Sequence, residues 1–220
     1  LRYVCQDAET GAAIVKALVV VDIQNDFLPG GALGVPDGDQ VIPVANRVAP
    51  AFDLVVATRD WHPPDHASFA ANHPGKKPGE IIELDGLEQI LWPVHCVEDT
   101  PGAEFAAGLE LDRFARVFRK GTDPKIDSYS AFFDNAHRRA TGLGDYLKEQ
   151  GVTDVYLLGL ATDYCVKFSA LDAVGSGLAT FVIEDGCRAV ELAPGDAGRA
   201  IEAMRSAGVK IVRSAALRSE

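Results

Sequence analysis

Residues 17–21 read Ala-Leu-Val-Val-Val and stop at Asp22. A short run that is apolar at every position suits a strand buried in a parallel sheet, with helices over both faces. Similar runs recur at 53–58 (DLVVAT), 115–119 (ARVFR), 155–160 (VYLLGL), 180–183 (TFVI) and 209–212 (VKIV). Helical patterns fall between them at 41–52, 142–150, 163–176 and 194–207. The last three end at Gly151, Gly177 and Gly208, and Pro194 stands where a first helical turn accepts proline. Within 163–176, Val166, Ala170, Ala173 and Val174 share one face. The alternation predicts an α/β fold: a six-stranded, mainly parallel sheet with helices on both faces, a three-layer sandwich. Ligands of such sheets bind beyond the C-terminal strand ends.

Composition narrows the function. The 220 residues are 47% hydrophobic, which excludes a wholly disordered chain, and the net charge of −11 argues against nucleic acid or an anionic membrane surface as partner. The apolar runs are far shorter than the ~20 residues needed to span a bilayer. Residues 1–16 include Asp7 and Glu9 and contain no apolar h-region, so no signal peptide is expected. Cys5, Cys96, Cys165 and Cys187 are scattered without a C-x-x-C pair. Reduced thiols in a cytoplasm are the expectation, rather than a disulfide framework. Segment 61–101 lacks the α/β alternation and is rich in Pro, His and Gly. Loops of that length inside a compact domain are usually functional.

Asp22, Asp60 and Lys120 stand at or just beyond strand ends, and Cys165 follows the fourth strand at the start of a helix. A doubly wound sheet brings these four positions to one edge. Cys165 reads either as a small buried hydrophobe or as a nucleophile whose thiolate and oxyanion are served by helix N-terminal N–H groups. Asp22 reads either as a turn cap or as a desolvated carboxylate fit for proton transfer. Lys120 is either a snorkelling surface lysine or the partner that keeps Asp22 charged. Asp60-Trp61-His62 places Asp and His on one side of an extended segment, and four of the five histidines (62, 66, 73 and 95) lie in 61–101. One carboxylate with imidazoles suits zinc, iron or manganese; a solvated polar loop is the other reading.

Five motifs, in order, carry a family resemblance: VDIQNDFLPGGAL (21–33), TRDWHPPDHASFA (58–70), LWPVHC (91–96), RKG (119–121) and GLATDYCV (159–166). Across roughly residues 16–212 the chain resembles the nicotinamidases of the isochorismatase-like cysteine hydrolases. DWH and WPVHC favour that branch over the isochorismatase branches that lack a metal site. The resemblance implies a single domain over 1–220, with 1–15 outside the match and 61–101 as a metal-binding loop insertion. It implies Asp22, Lys120 and Cys165 as the catalytic triad and Ala161 and Cys165 as oxyanion donors. A non-proline cis peptide is implied at Leu160–Ala161. Phe27, Leu33, Trp92, Tyr129 and Tyr164 would wall the substrate pocket, with Phe27 and Trp92 sandwiching the ring. Asp60, His62 and His95 would be metal ligands, and His66 either a fourth ligand or a supporting residue. The implied cofactor is one divalent ion, zinc first, then iron or manganese, orienting the pyridine ring. The implied reaction is hydrolysis of nicotinamide to nicotinate and ammonia through a cysteine thioester, with pyrazinamide as a further substrate. Partners beyond the small molecule would be other copies of the chain in a homo-oligomer. The alternatives are a superfamily amidase or N-carbamoyl hydrolase that needs no pyridine-binding metal, and a non-catalytic aromatic-amide-binding protein.

Overall fold

The computed structural model describes residues 14–217; Cys5 and most of the N-terminal stretch lie outside them. The chain runs β1 (Lys16–Val21), α1 (Val41–Val48), β2 (Leu54–Asp60), β3 (Ile81–Leu84), β4 (Leu87–Ile90) and β5 (Arg116–Lys120). It continues α2 (Leu143–Glu149), β6 (Asp154–Leu160), α3 (Lys167–Gly175), β7 (Ala179–Arg188), α4 (Asp196–Ser206) and β8 (Lys210–Val212). Six strands form one parallel sheet in the order β5-β2-β1-β6-β7-β8. From β1 the chain steps outward to β2 and β5, and from β6 it steps the other way to β7 and β8. Right-handed crossovers running in opposite directions put α1 and α3 on opposite faces, and the strand order switches between β1 and β6.

β1 and β6 are the most deeply covered strands, with Ala17 to Val21 and Val155 to Leu160 almost entirely buried. α1 packs Val41, Val44, Ala45 and Val48 inward against β6 and β7. At the switch point Gly159 pairs with Val21, and a Cβ there would stand 2.0 Å from the Val21 carbonyl oxygen. Its φ of +127° is likewise open only to glycine.

Several expectations need correction. The third strand is an edge: in Arg116–Lys120 only Phe118 and Lys120 are buried, so it is not apolar on both faces. The helix expected over 41–52 stops at Val48 and gives way to a 3₁₀ turn containing Pro50. The helix expected from 163 opens as a π-helical turn, Thr162–Val166, before α3 begins. Pro194 is not in the first turn of α4, because Gly195 caps that helix at φ +87°. β7 runs to Arg188, with a register shift against Leu157 and Gly159. Segment 61–101 holds an unanticipated antiparallel hairpin, β3–β4, outside the main sheet. Among the described residues no helix is long and apolar enough to cross a membrane.

Candidate active site and metal centre

The C-terminal ends of β1, β2 and β5 and the turn after β6 converge on one buried ammonium. Register sets Asp60 directly beside Lys120. Lys120 Nζ is 2.9 Å from Asp22 Oδ2, 2.9 Å from the Ser128 carbonyl oxygen and 3.4 Å from Cys165 Sγ, and it also donates to Asp60 Oδ1. The snorkelling reading of Lys120 is therefore wrong: its side chain is 0% exposed. Burial opposes its charge, but Asp22 and Asp60 outweigh burial and hold it well above the usual lysine range.

Asp22 leaves β1 at φ +47° and accepts the Thr58 hydroxyl at 2.7 Å. Burial raises its proton affinity more than Lys120 lowers it. Cys165 lies in the π turn, and its sulfur and the carboxylate oxygens of Asp22 and Asp60 all lie within 4.8 Å of one another. Burial pushes the thiol well above the ordinary cysteine range, with Lys120 opposing. The Leu160–Ala161 peptide is cis, as the motif implied.

Asp60, His62 and His95 each offer one atom to a common point, all within 4.8 Å of one another. His62 Nε2 is 3.6 Å and His95 Nε2 3.9 Å from Asp60 Oδ2. Each ring spends its other nitrogen on a backbone carbonyl: His62 Nδ1–H donates to Gly121 at 2.8 Å and His95 Nδ1–H to Pro93 at 2.7 Å. That tautomer leaves both Nε2 lone pairs aimed inward, and His62 Nε2 is buried with no hydrogen-bond partner. Burial would raise Asp60, but its carboxyl lies well below the usual range, with the Lys120 ammonium the largest opposing influence. Burial and His62 push His95 down to about 4, so it is a neutral imidazole. An orphaned nitrogen, a charged carboxylate and a neutral imidazole fit a divalent cation. His66 stands in a different cluster with His62 and Asp127. Its Nδ1 is engaged by Ser68, with Oγ at 2.7 Å and the backbone N–H at 3.2 Å, while its Nε2 is buried without a hydrogen-bond partner.

A cavity opens onto Asp60, His95, Ala161 and Cys165. All five expected wall residues, Phe27, Leu33, Trp92, Tyr129 and Tyr164, line it. Trp92 and Tyr164 meet edge to face at 4.9 Å, and Phe27 is tilted against His95 at 5.5 Å. Sequence reasoning missed several contributors. Asp127 and Val190 also line the cavity. Gln24 is fully buried and clamps β2 to its neighbours: Nε2 donates to the Asp60 and Ala103 carbonyls at 2.8 Å, and Oε1 accepts the Asp60 N–H at 2.8 Å. Gln24 stood inside a quoted motif; Asp127 and Val190 carried no spacing signal.

The isochorismatase domain profile matches residues 16–216. The chain belongs to the isochorismatase family. This family member is 46% identical over 200 residues to the nicotinamidase of Escherichia coli strain K12, an alignment covering 89% of this chain and 93% of that one. A solved Acinetobacter baumanii nicotinamidase pyrazinamidase superposes with a TM-score of 0.90 at 50% identity, covering 92% and 98% of the two chains. The Pyrococcus horikoshii pyrazinamidase, solved in complex with zinc, superposes at 0.72 with 40% identity, covering 90% and 98%.

Proposed function

We propose that this chain hydrolyses nicotinamide to nicotinate and ammonia, with Cys165 as nucleophile, Asp22 as acid–base and Lys120 as the fixed cation between them. One observation carries the assignment: a single buried ammonium touches Asp22, Asp60 and the Cys165 sulfur, and Asp60 and Cys165 line an aromatic cavity. The nicotinamidases and pyrazinamidases among its relatives support the substrate.

Burial raises the proton affinity of both Asp22 and Cys165, so the carboxylate is a stronger base, and the thiol a weaker acid, than either would be in water. As Asp22 takes the proton, Lys120 stabilises the sulfur anion, which attacks the amide carbon. Backbone N–H groups of Ala161 and Cys165 receive the oxyanion, a contribution typically worth about 3 kcal/mol per donor. Asp22 then protonates the leaving nitrogen, the C–N bond breaks, and ammonia departs. Water enters, Asp22 removes its proton, and the thioester gives nicotinate and the free thiol. Phe27, Leu33, Trp92, Tyr129 and Tyr164 enclose the ring, since aromatic walls supply contact area at little entropic cost. Asp60, His62 and His95 would hold a divalent ion, zinc before iron or manganese by its donor set, which when bound supplies a Lewis-acid anchor for the pyridine nitrogen.

Pyrazinamide should turn over as well, because its second ring nitrogen leaves the first in place. The buried Asp60/His62/His95 set disfavours a superfamily amidase with no use for a metal. A thiol nucleophile suits a reducing cytoplasm. Ammonia release from nicotinamide on purified protein tests the reading; a metal-loaded sample that binds nicotinamide and releases none would establish the binding-protein alternative instead.

A further inference from the structure

The β3–β4 hairpin lies outside the main sheet, and none of the chemistry above uses it. Its one fully buried strand residue is Gln89. Gln89 Nε2 is 2.7 Å from the Ile90 carbonyl oxygen, 3.1 Å from Asp127 Oδ2 and 3.2 Å from Tyr129 Oη. The first two only accept, so the amide orientation is determined and both of its hydrogens have acceptors; the phenol oxygen stands within hydrogen-bond distance as a third partner. Trp92 Nε1, which can only donate, reaches the same oxygen at 3.2 Å. The Tyr129 oxygen thus accepts from Trp92 and stands 3.2 Å from the Gln89 amide nitrogen. Its ring stands edge-on to Trp92 at 6.4 Å and tilted against Tyr164 at 5.5 Å. All three rings line the cavity, as does Asp127, whose other oxygen accepts the Ser128 N–H at 2.7 Å.

We propose that Gln89 is a positioning residue for substrate: from the hairpin it pins Tyr129 and Asp127, and through Tyr129 and Trp92 it sets the slot that grips the aromatic ring. The proposal rests on the reading of this cavity as the nicotinamide site. Without the Gln89 carboxamide, Asp127 Oδ2 loses its hydrogen-bond donor among the described residues, and Tyr129 keeps only Trp92. Both side chains then gain rotational freedom that binding must remove again.

The test reads nicotinamide binding by calorimetry on metal-loaded Cys165→Ala protein, so turnover does not enter. Gln89→Met and Tyr129→Phe should each weaken binding about tenfold, and the double variant by clearly less than the product, because either change removes the Gln89–Tyr129 contact. In the otherwise native enzyme, Gln89→Met should raise KM by a similar factor with kcat changed less than about twofold. Gln89→Glu, which keeps the size and loses the donors, should act in the same direction if the Met variant does not fold. Unchanged binding overturns the proposal, as does multiplication of the two single effects to about a hundredfold, or a fall in kcat at unchanged affinity. A Cys165→Ala parent that binds no nicotinamide overturns the functional reading itself; a binding parent with unaffected variants overturns only the role of Gln89.

Discussion

Replacing Lys120 with methionine tests the arrangement most directly. The variant keeps the length of the side chain and deletes the ammonium that touches Asp22, Asp60, Ser128 O and Cys165 Sγ. Two buried carboxylates, with oxygens within 4.8 Å of each other, then face one another without a cation. Leaving a buried charge uncompensated costs about 3–5 kcal/mol. In a chain of this length each kcal/mol moves Tm by about 2–4 °C, so the expected loss is about 6–20 °C. Protonation of Asp22 offers partial relief. Burial already raises its proton affinity, and loss of Lys120 raises it further. A carboxyl whose folded pKa lies above its unfolded value loses stability as pH rises through that interval, so the deficit should be larger at pH 8 than at pH 5. The assay is calorimetric melting of chelator-treated wild type and variant at both pH values, chelation ensuring that no bound cation neutralises Asp60. Equal melting temperatures, or a deficit that shrinks with rising pH, would refute the electrostatic account. Turnover by the metal-loaded variant should fall at least about a hundredfold, because the sulfur anion loses its partner.

Cys165→Ala should lower ammonia release by about 10⁴-fold or more while nicotinamide still binds; full turnover would exclude this nucleophile. The acid limb of kcat/KM should lie above the ordinary aspartate value of 3.8, since Asp22 must be deprotonated and burial raises its pKa. A pH–rate profile with no loss of rate until below 3.8 would contradict that environment. Gly121→Ala should weaken metal binding by about 10–100-fold in a chelator competition. The reason is spatial: a Cβ at Gly121, held at φ +64°, would stand 2.3 Å from His62 Cε1 and displace the ring.

The chemistry-bearing residues were readable because each sits where a buried run meets its first polar side chain. Asp22 ends ALVVV and Asp60 closes LVVATRD. The hairpin was not readable: Ile81–Leu84 alternates exposed and half-buried positions and Leu87–Ile90 buries only a glutamine, with glutamates at 83 and 88. Two four-residue strands in a Pro- and Gly-rich segment look like loop, and their pairing is a contact across a turn. Cys165 was placed correctly after β6, but how strongly its thiol is desolvated depends on what packs over the sulfur, which no local pattern records.

The order of residues was enough to specify the parallel sheet and the side chains delivered to its edge, because strand burial and strand-end polarity are local patterns along the chain. Tertiary packing decided how those side chains share charge. The β2–β5 register set Lys120 against Asp60 as well as Asp22, the Gly121 and Pro93 carbonyls chose the histidine tautomers, and the hairpin delivered Gln89 to Tyr129. Proton affinity and ligand geometry depend on distances of a few ångströms between segments remote in sequence, and only the packed chain sets those distances.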